Sequence, residues 1–158
     1  AGALARVAGM FSSRGYNIDS LTVAATHEPS VSRLTLVTMG SDTVIDQIIK
    51  QTRKLIDVVE ITDVSRRDHF EAEMLLIKLE VNPASARAVV ECIRRSRGLI
   101  LDESLNTRTV QLSGTGPEIS DFIKEVGALA KILEVVRSGV AAIEPGNAVL
   151  NLQPLQAA

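Results

Sequence analysis

The sequence predicts an α+β protein made of two tandem copies of one small unit, each an antiparallel sheet covered on one face by two helices. Two internal echoes and one shared order of hydrophobic periodicities carry this prediction. Ser13-Arg14-Gly15-Tyr16-Asn17-Ile18-Asp19-Ser20-Leu21 returns as Ser96-Arg97-Gly98-Leu99-Ile100-Leu101-Asp102-Glu103-Ser104-Leu105. Further on, Gly40-Ser41-Asp42-Thr43-Val44-Ile45 through Ile49-Lys50 returns as Gly114-Thr115-Gly116-Pro117-Glu118-Ile119 through Ile123-Lys124, and Leu55 and Glu60 fall on Leu129 and Glu134. Such self-similarity is the mark of a duplicated structural unit. The offset is 83 residues at the first echo and 74 at the second, so the stretch between echoes is nine residues shorter in the second copy. A surface hairpin loop is where such a difference is expected.

In the first copy, Leu4, Val7, Ala8 and Phe11 recur with helical spacing and predict a helix from about residue 3 until Gly15 stops it. Asn17 to Ala25 reads as a strand, His27-Glu28-Pro29-Ser30 as a turn, and Ser32 to Met39 as a half-buried strand with Leu34 and Leu36 on one side. Ser41 or Asp42 caps a second helix with the stripe Val44, Ile45, Ile48, Ile49 and Leu55, and Val58 to Val64 is expected to close the unit as a strand. The order is αββαβ.

The polar run Ser65-Arg66-Arg67-Asp68-His69-Phe70 marks a boundary. Met74 to Val81 is a nearly continuous apolar strand, and Asn82 with Pro83 supplies an N-cap and first-turn proline for a helix to about Ser96. Leu99 to Asp102 and Thr109 to Ser113 form a hairpin, Pro117 opens a helix carrying Ile119, Phe122, Ile123 and Val126, and Lys131 to Arg137 is the final strand. This copy is βαββαβ, the split-βαβ or ferredoxin-like order. The chain therefore reads as two tandem ferredoxin-like βαββαβ modules: residues 1–65, lacking the first strand; residues 70–144; and a tail, residues 145–158, rich in Gly, Asn, Gln and Pro. Because that first strand belongs inside the sheet, its loss strands the last one, and the natural protein is expected to begin about ten residues upstream. The mass of the natural product tests this.

Apolar residues are 46% and charged residues 23%, an ordinary balance for a globular protein, and no run approaches the roughly 18 apolar residues that cross a bilayer. No secretory leader is visible at the N-terminus, so a cytoplasmic setting is the default. A net charge of −2 with 3% aromatics argues against a nucleic-acid surface. Arg94, Arg95 and Arg97 read as a solvated helix end, and Cys92 as core packing beside Val89 and Ile93. Two histidines and one distant cysteine give no metal spacing, and no metal is assigned.

No catalytic constellation is present: there is no nucleophile elbow, phosphate loop or histidine general-base motif. Gly114-Thr115-Gly116-Pro117 reads as a tight turn before a proline-started helix, and the acidic pairs Asp102-Glu103 and Glu71-Glu73 as solvated strand ends. The start of the first helix is more suggestive. Gly2-Ala3-Leu4 sets small side chains over free helix N–H groups, a seat for the carboxylate of an amino acid. Asn17 offers an amide to an ammonium, and Leu4, Ile18, Leu21 and Val23 offer walls for a branched side chain, each also explained by core packing. The two clusters lie at opposite ends of one helix, about 15 to 20 Å apart by helix rise. One ligand reaches both only across a dimer interface, with Gly2 to Leu4 of one chain facing Asn17 of the other.

Gly2 to Leu21, reading Gly-Ala-Leu-x-Arg-Val-x-Gly-x-Phe-x-x-Arg-Gly-Tyr-Asn-Ile-x-Ser-Leu, closely resembles the opening of the regulatory (small) subunits of acetolactate synthase, also called acetohydroxyacid synthase. The resemblance continues through Ser32-Arg33-Leu34-Thr35-Leu36, Gln51 to Val58, Glu73 to Lys78, Arg97-Gly98 and Arg137-Ser138-Gly139-Val140, essentially the full chain. It implies an ACT domain followed by a ferredoxin-like regulatory domain, in a non-catalytic protein that activates the thiamine-diphosphate-dependent catalytic subunit. It implies a homodimer that binds valine between paired ACT domains and confers feedback inhibition of branched-chain amino-acid synthesis. By position, Gly2, Ala3, Leu4, Asn17 and Ile18 would be the effector contacts. Thiamine diphosphate, Mg and FAD would sit on the catalytic subunit, with no cofactor in this chain.

Three other classes compete. An ACT-type amino-acid sensor regulating another enzyme or transcription shares the fold, but no helix-turn-helix pattern supports it. RNA binding by a βαββαβ sheet needs aromatic residues on the central strands, where Leu34-Thr35-Leu36-Val37 and Val110-Gln111-Leu112 have none. A small stand-alone enzyme lacks catalytic groups.

Overall fold

The computed structural model describes residues 2–150, which divide into two compact units: the residues up to Phe70 together with those from Ala142 onward, and Glu71–Ala141. The first unit contains α1 (Ala3–Ser13), β1 (Ser20–Ala25), β2 (Ser32–Val37) and α2 (Asp42–Thr52). β1 and β2 form an antiparallel hairpin registered from Ser20↔Val37 to Ala25↔Ser32. Val7, Phe11 and Ile48 are its buried core, with Ile18, Leu34, Leu36, Val44, Ile45 and Leu55 packed around them. The predicted helix faces meet here, except that Leu4 lies 44% exposed. Gly15 ends α1 in the left-handed region at φ 69°, a conformation that Cβ-bearing residues resist, and the chain folds back so that Tyr16 N donates to Phe11 O at 3.0 Å.

Two expectations for this unit need correction. Val58 to Val64 forms no strand. A strand exists only where a neighbour accepts its hydrogen bonds, and among the described residues none lies before α1 to supply that ladder. Nor does β1 begin at Asn17. Asn17 O accepts from Thr38 Oγ1 at 2.6 Å, and the ladder bonds start with Asp19 N to Val37 O at 2.9 Å, leaving 16–19 as an irregular link. In the second copy β4 follows directly on Gly98. The extra residues of the first copy therefore fall partly in the hairpin loop, 26–31 against 104–106, and partly in the segments flanking the hairpin, among them 16–19.

The second unit carries β3 (Phe70–Glu80), α3 (Ala86–Arg95), β4 (Leu99–Glu103), β5 (Thr107–Gly114), α4 (Gly116–Leu129) and β6 (Lys131–Arg137); β7 (Ala141–Ile143) follows. The strand order β4-β5-β3-β6 with antiparallel neighbours is the βαββαβ ferredoxin-like arrangement expected from the sequence. Leu75, Ile77 and Leu79 of β3 alternate inward against Val89, Cys92 and Ile93 of α3 and Ile119, Phe122 and Val126 of α4. Cys92 is core, as predicted, and burial pushes its thiol pKa up.

α3 starts later than Asn82 and Pro83 imply. Asn82 Oδ1 instead accepts from Ser85 N at 2.9 Å, closing a turn that delays the helix to Ala86. The Gly114–Pro117 stretch is the tight turn expected: Thr115 caps α4, and the Glu118 carboxylate accepts from Thr115 N at 2.7 Å in a capping box. The protein's own carboxylate thus occupies that helix end. Glu73 is not a solvated strand end. It faces the helix side of β3, is buried, and accepts both arms of Arg137 at 2.6 Å each. The sequence-predicted tail is described only through Leu150, without regular structure; residues 151–158 lie outside the described residues.

Candidate functional site

α1 fixes the two ends of the candidate site. At its start Gly2 is the N-cap at φ 97°, and among the described residues no side chain caps the helix and its first turn holds no acidic residue. Gly2 O accepts the first helical bond, from Arg6 N at 3.0 Å, which leaves the N–H groups of the first turn pointing out of the ladder. A Cβ on Gly2 would meet nothing nearer than 3.9 Å, so glycine is needed there for its backbone angle and not for space. Partial positive charge collects at such an end and favours an anion.

Arg6, one turn along, donates from Nε to Asp57 Oδ2 at 2.5 Å. That hydrogen bond holds the Asp57 carboxyl below the usual carboxylate range and raises the Arg6 pKa, so both remain charged across the neutral range. The pair joins α1 to the turn after α2, and nothing in the sequence announces it, because the partners are 51 residues apart.

The other cluster sits past the far end of α1. Asn17 Nδ2 donates one hydrogen to Asp19 Oδ1 at 2.5 Å, which orients the amide and leaves its oxygen as the acceptor an ammonium requires. Asp19 adds a carboxylate to that environment; the Asn-x-Asp spacing was the signal for it, and reading the segment as strand hid it. Ile18 packs on the Val7, Phe11 and Ile48 core, so its side chain serves the fold first. Val23, proposed as a pocket wall, is 43% exposed and Leu21 half-buried.

Within one chain these clusters do not meet. α1 has 11 residues, and at about 1.5 Å of rise per residue its ends are separated by roughly 16 Å. Gly2, Ala3 and Leu4 share one end; Asn17 and Ile18 share the other. Asn17 to Asp19 also fall in the irregular link that the second copy lacks. A cavity of about 240 Å³ lies elsewhere in this unit, lined by Arg53 and the irregular stretch Val58 to Ile61. Among the described residues no three His, Cys, Asp or Glu side chains are grouped as a metal site would require, and no helix is long and apolar enough to cross a membrane.

Comparison with known proteins adds the family. Residues 1–60 match the family described as AHAS small subunit-like ACT domain, and residues 72–146 match the small subunit of acetolactate synthase. The chain is 41% identical over 149 residues to the acetolactate synthase isozyme 3 small subunit of Escherichia coli, covering 94% of this chain and 91% of that one. The chain belongs to the acetolactate synthase small-subunit family. A probable acetolactate synthase small subunit of Archaeoglobus fulgidus is 36% identical over 146 residues, covering 92% and 91% of the two chains. The crystal structure of the acetolactate synthase small subunit from Thermotoga maritima superposes with a TM-score of 0.84 at 32% identity, covering 93% of this chain and 91% of that one. The family match extends over both units, so the first, with β1 and β2 among its described residues, is an ACT domain. The ferredoxin-like class and the resemblance read from Gly2 to Leu21 agree with these findings.

Proposed function

We propose that this chain is the non-catalytic regulatory subunit of an acetolactate synthase, that it activates the thiamine-diphosphate-dependent catalytic subunit, and that it confers feedback inhibition by valine. Thiamine diphosphate, Mg and FAD belong to the catalytic subunit in this reading. The effector site is shared by two chains of a homodimer. One chain offers the free N–H groups at Gly2, Ala3 and Leu4 to the valine carboxylate; the other offers Asn17, beside Asp19, to the ammonium, with Ile18 near the side chain.

The observation that carries the shared site is the length of α1. Its two ends are too far apart for one amino acid, while each end has the polarity that one end of an amino acid needs. Valine inhibits only if it binds one state of the assembly better than another, and a coupling of about 1–3 kcal/mol is typical of such linkage. A ligand held between two chains has that property directly, because its affinity depends on how the chains pair.

Complementation tests the sharing. Ala3→Glu sets a carboxylate against the valine carboxylate, and Asn17→Ala removes the ammonium acceptor; each homodimer should lose valine binding by calorimetry. Co-refolded mixtures should regain one intact site per heterodimer, built from the Ala3 end of one chain and Asn17 of the other. Mixtures as inert as the parents would refute a shared site.

A further inference from the structure

The strands by which the chain enters and leaves the Glu71–Ala141 unit are tied together by side chains. The Glu73 carboxylate, its side chain 3% exposed, accepts from Arg137 Nε and Nη2 at 2.6 Å each. Next to it Ser138 N donates to Met74 O at 3.0 Å, and Met74 N donates to Ser138 Oγ at 2.9 Å. The serine hydroxyl thus stands in for a backbone carbonyl and carries the β3–β6 ladder one step past Arg137. Gly139 is at φ 81°, the left-handed region, where a glycine lets the chain turn. Two consecutive residues, Arg137 and Ser138, each spend polar groups on Glu73 or Met74.

An apolar pair would stabilise this end of the sheet about as well, because desolvating two charges cancels much of their attraction. What the fork adds is geometry: two parallel hydrogen bonds fix distance and orientation together. The place where it acts is specific. The chain crosses between the two units at only two points, after Phe70 and after Ala141, and the fork joins the strands leading to both. The covalent path from the proposed effector residues enters this unit after Phe70, and the fork ties that entry to the strand by which the chain leaves.

We propose that Glu73 and Arg137 form a positioning clamp that couples effector occupancy to the activity of the assembly. With the two strands tied, displacement imposed at the entry is passed on as strain; with them free, it is absorbed there. The clamp binds neither valine nor the reacting groups. The inference rests on the regulatory reading above.

The test uses the full chain with its catalytic subunit and valine itself. The double variant Glu73→Leu/Arg137→Met replaces the fork by an apolar pair. It should retain cooperative melting, stimulate acetolactate formation within about twofold of the wild type, and bind valine within about twofold by calorimetry, while inhibition at saturating valine falls by about fivefold or more. Glu73→Gln, which keeps the shape and part of the fork, should lose part of the inhibition and serves if the double variant does not fold. Full inhibition in a folded variant overturns the clamp. So does loss of valine affinity alongside inhibition, since a merely structural role would move both. A wild-type chain that does not respond to valine overturns the regulatory reading and the clamp with it, whereas a responding wild type with an equally responding variant overturns the clamp alone.

Discussion

Two adjacent substitutions at the end of α3 should change stability in opposite directions. The Ser-Arg-Gly triplet occurs at the end of both α1 and α3, and in α1 its glycine takes the left-handed angle. In α3 the left-handed residue is Arg97, at φ 59°, one position earlier. Gly98 is needed for a different reason. A Cβ there would lie 2.9 Å from Ile93 Cγ2, 3.2 Å from Ile93 O and 3.3 Å from Val110 Cγ1, and both side chains are fully buried. Gly98 N also donates to Ile93 O at 2.8 Å, which holds the chain against that turn. Overpacking of this kind costs about 1–3 kcal/mol, and the lower unfolded-state entropy of alanine returns about 0.4–1 kcal/mol. Gly98→Ala should therefore destabilise by about 1–2 kcal/mol. Relieving a side chain held in the left-handed region is worth about 1–2 kcal/mol, less the same entropy term, so Arg97→Gly should stabilise by about 0.5–1 kcal/mol. Urea unfolding followed by far-UV circular dichroism measures both. A neutral Gly98→Ala, or a destabilised Arg97→Gly, would show that the two copies share one cap geometry after all and refute the close-approach argument.

Further predictions concern the site, the clamp and a cap. Asn17→Ala should leave folding and stimulation of the catalytic subunit intact and abolish valine sensitivity; retained sensitivity in an inhibition titration would remove Asn17 from the site. Arg137 holds the Glu73 carboxyl below the usual carboxylate range, so its contribution to stability is present above the unfolded carboxyl's pKa of about 4.3 and is lost as pH falls through the lower folded value. Glu73→Gln should cost about 1–2 kcal/mol at pH 7 and make urea midpoints less sensitive to acid than the wild type's; parallel pH profiles would contradict this. Thr115→Ala removes the N-cap of α4 and should cost about 1 kcal/mol in urea unfolding, while an unchanged midpoint would mean that the Glu118 carboxylate alone satisfies that helix end.

The features visible in the sequence were the local ones. Leu75, Ile77 and Leu79 alternate, Val89, Cys92 and Ile93 follow helical spacing, and Pro117 marks a helix start, so the order of elements in the second unit could be read. The features that escaped were set by partners far along the chain. Val58 to Val64 has strand composition but no ladder, and composition does not report a missing neighbour. Glu73 looked solvated beside Glu71, because its burial is decided by Arg137, 64 residues away. The Ser-Arg-Gly echo hid a one-residue shift in cap geometry that only packing against Val110 reveals. In the candidate site, Gly2 to Leu4 and Asn17 are expectations from helix-end chemistry, and the structure sets them at opposite ends of α1. Asp19 was masked by reading Asn17 to Ala25 as one strand, and the Arg6–Asp57 pair is a tertiary contact without a sequence signature.

The central claim is that this chain regulates acetolactate synthase in response to valine. Its most direct test is acetolactate formation by the matching purified catalytic subunit alone, with this chain, and with this chain plus millimolar valine. The account predicts stimulation by the chain and its reversal by valine. A folded chain that leaves the rate unchanged in both conditions would contradict it.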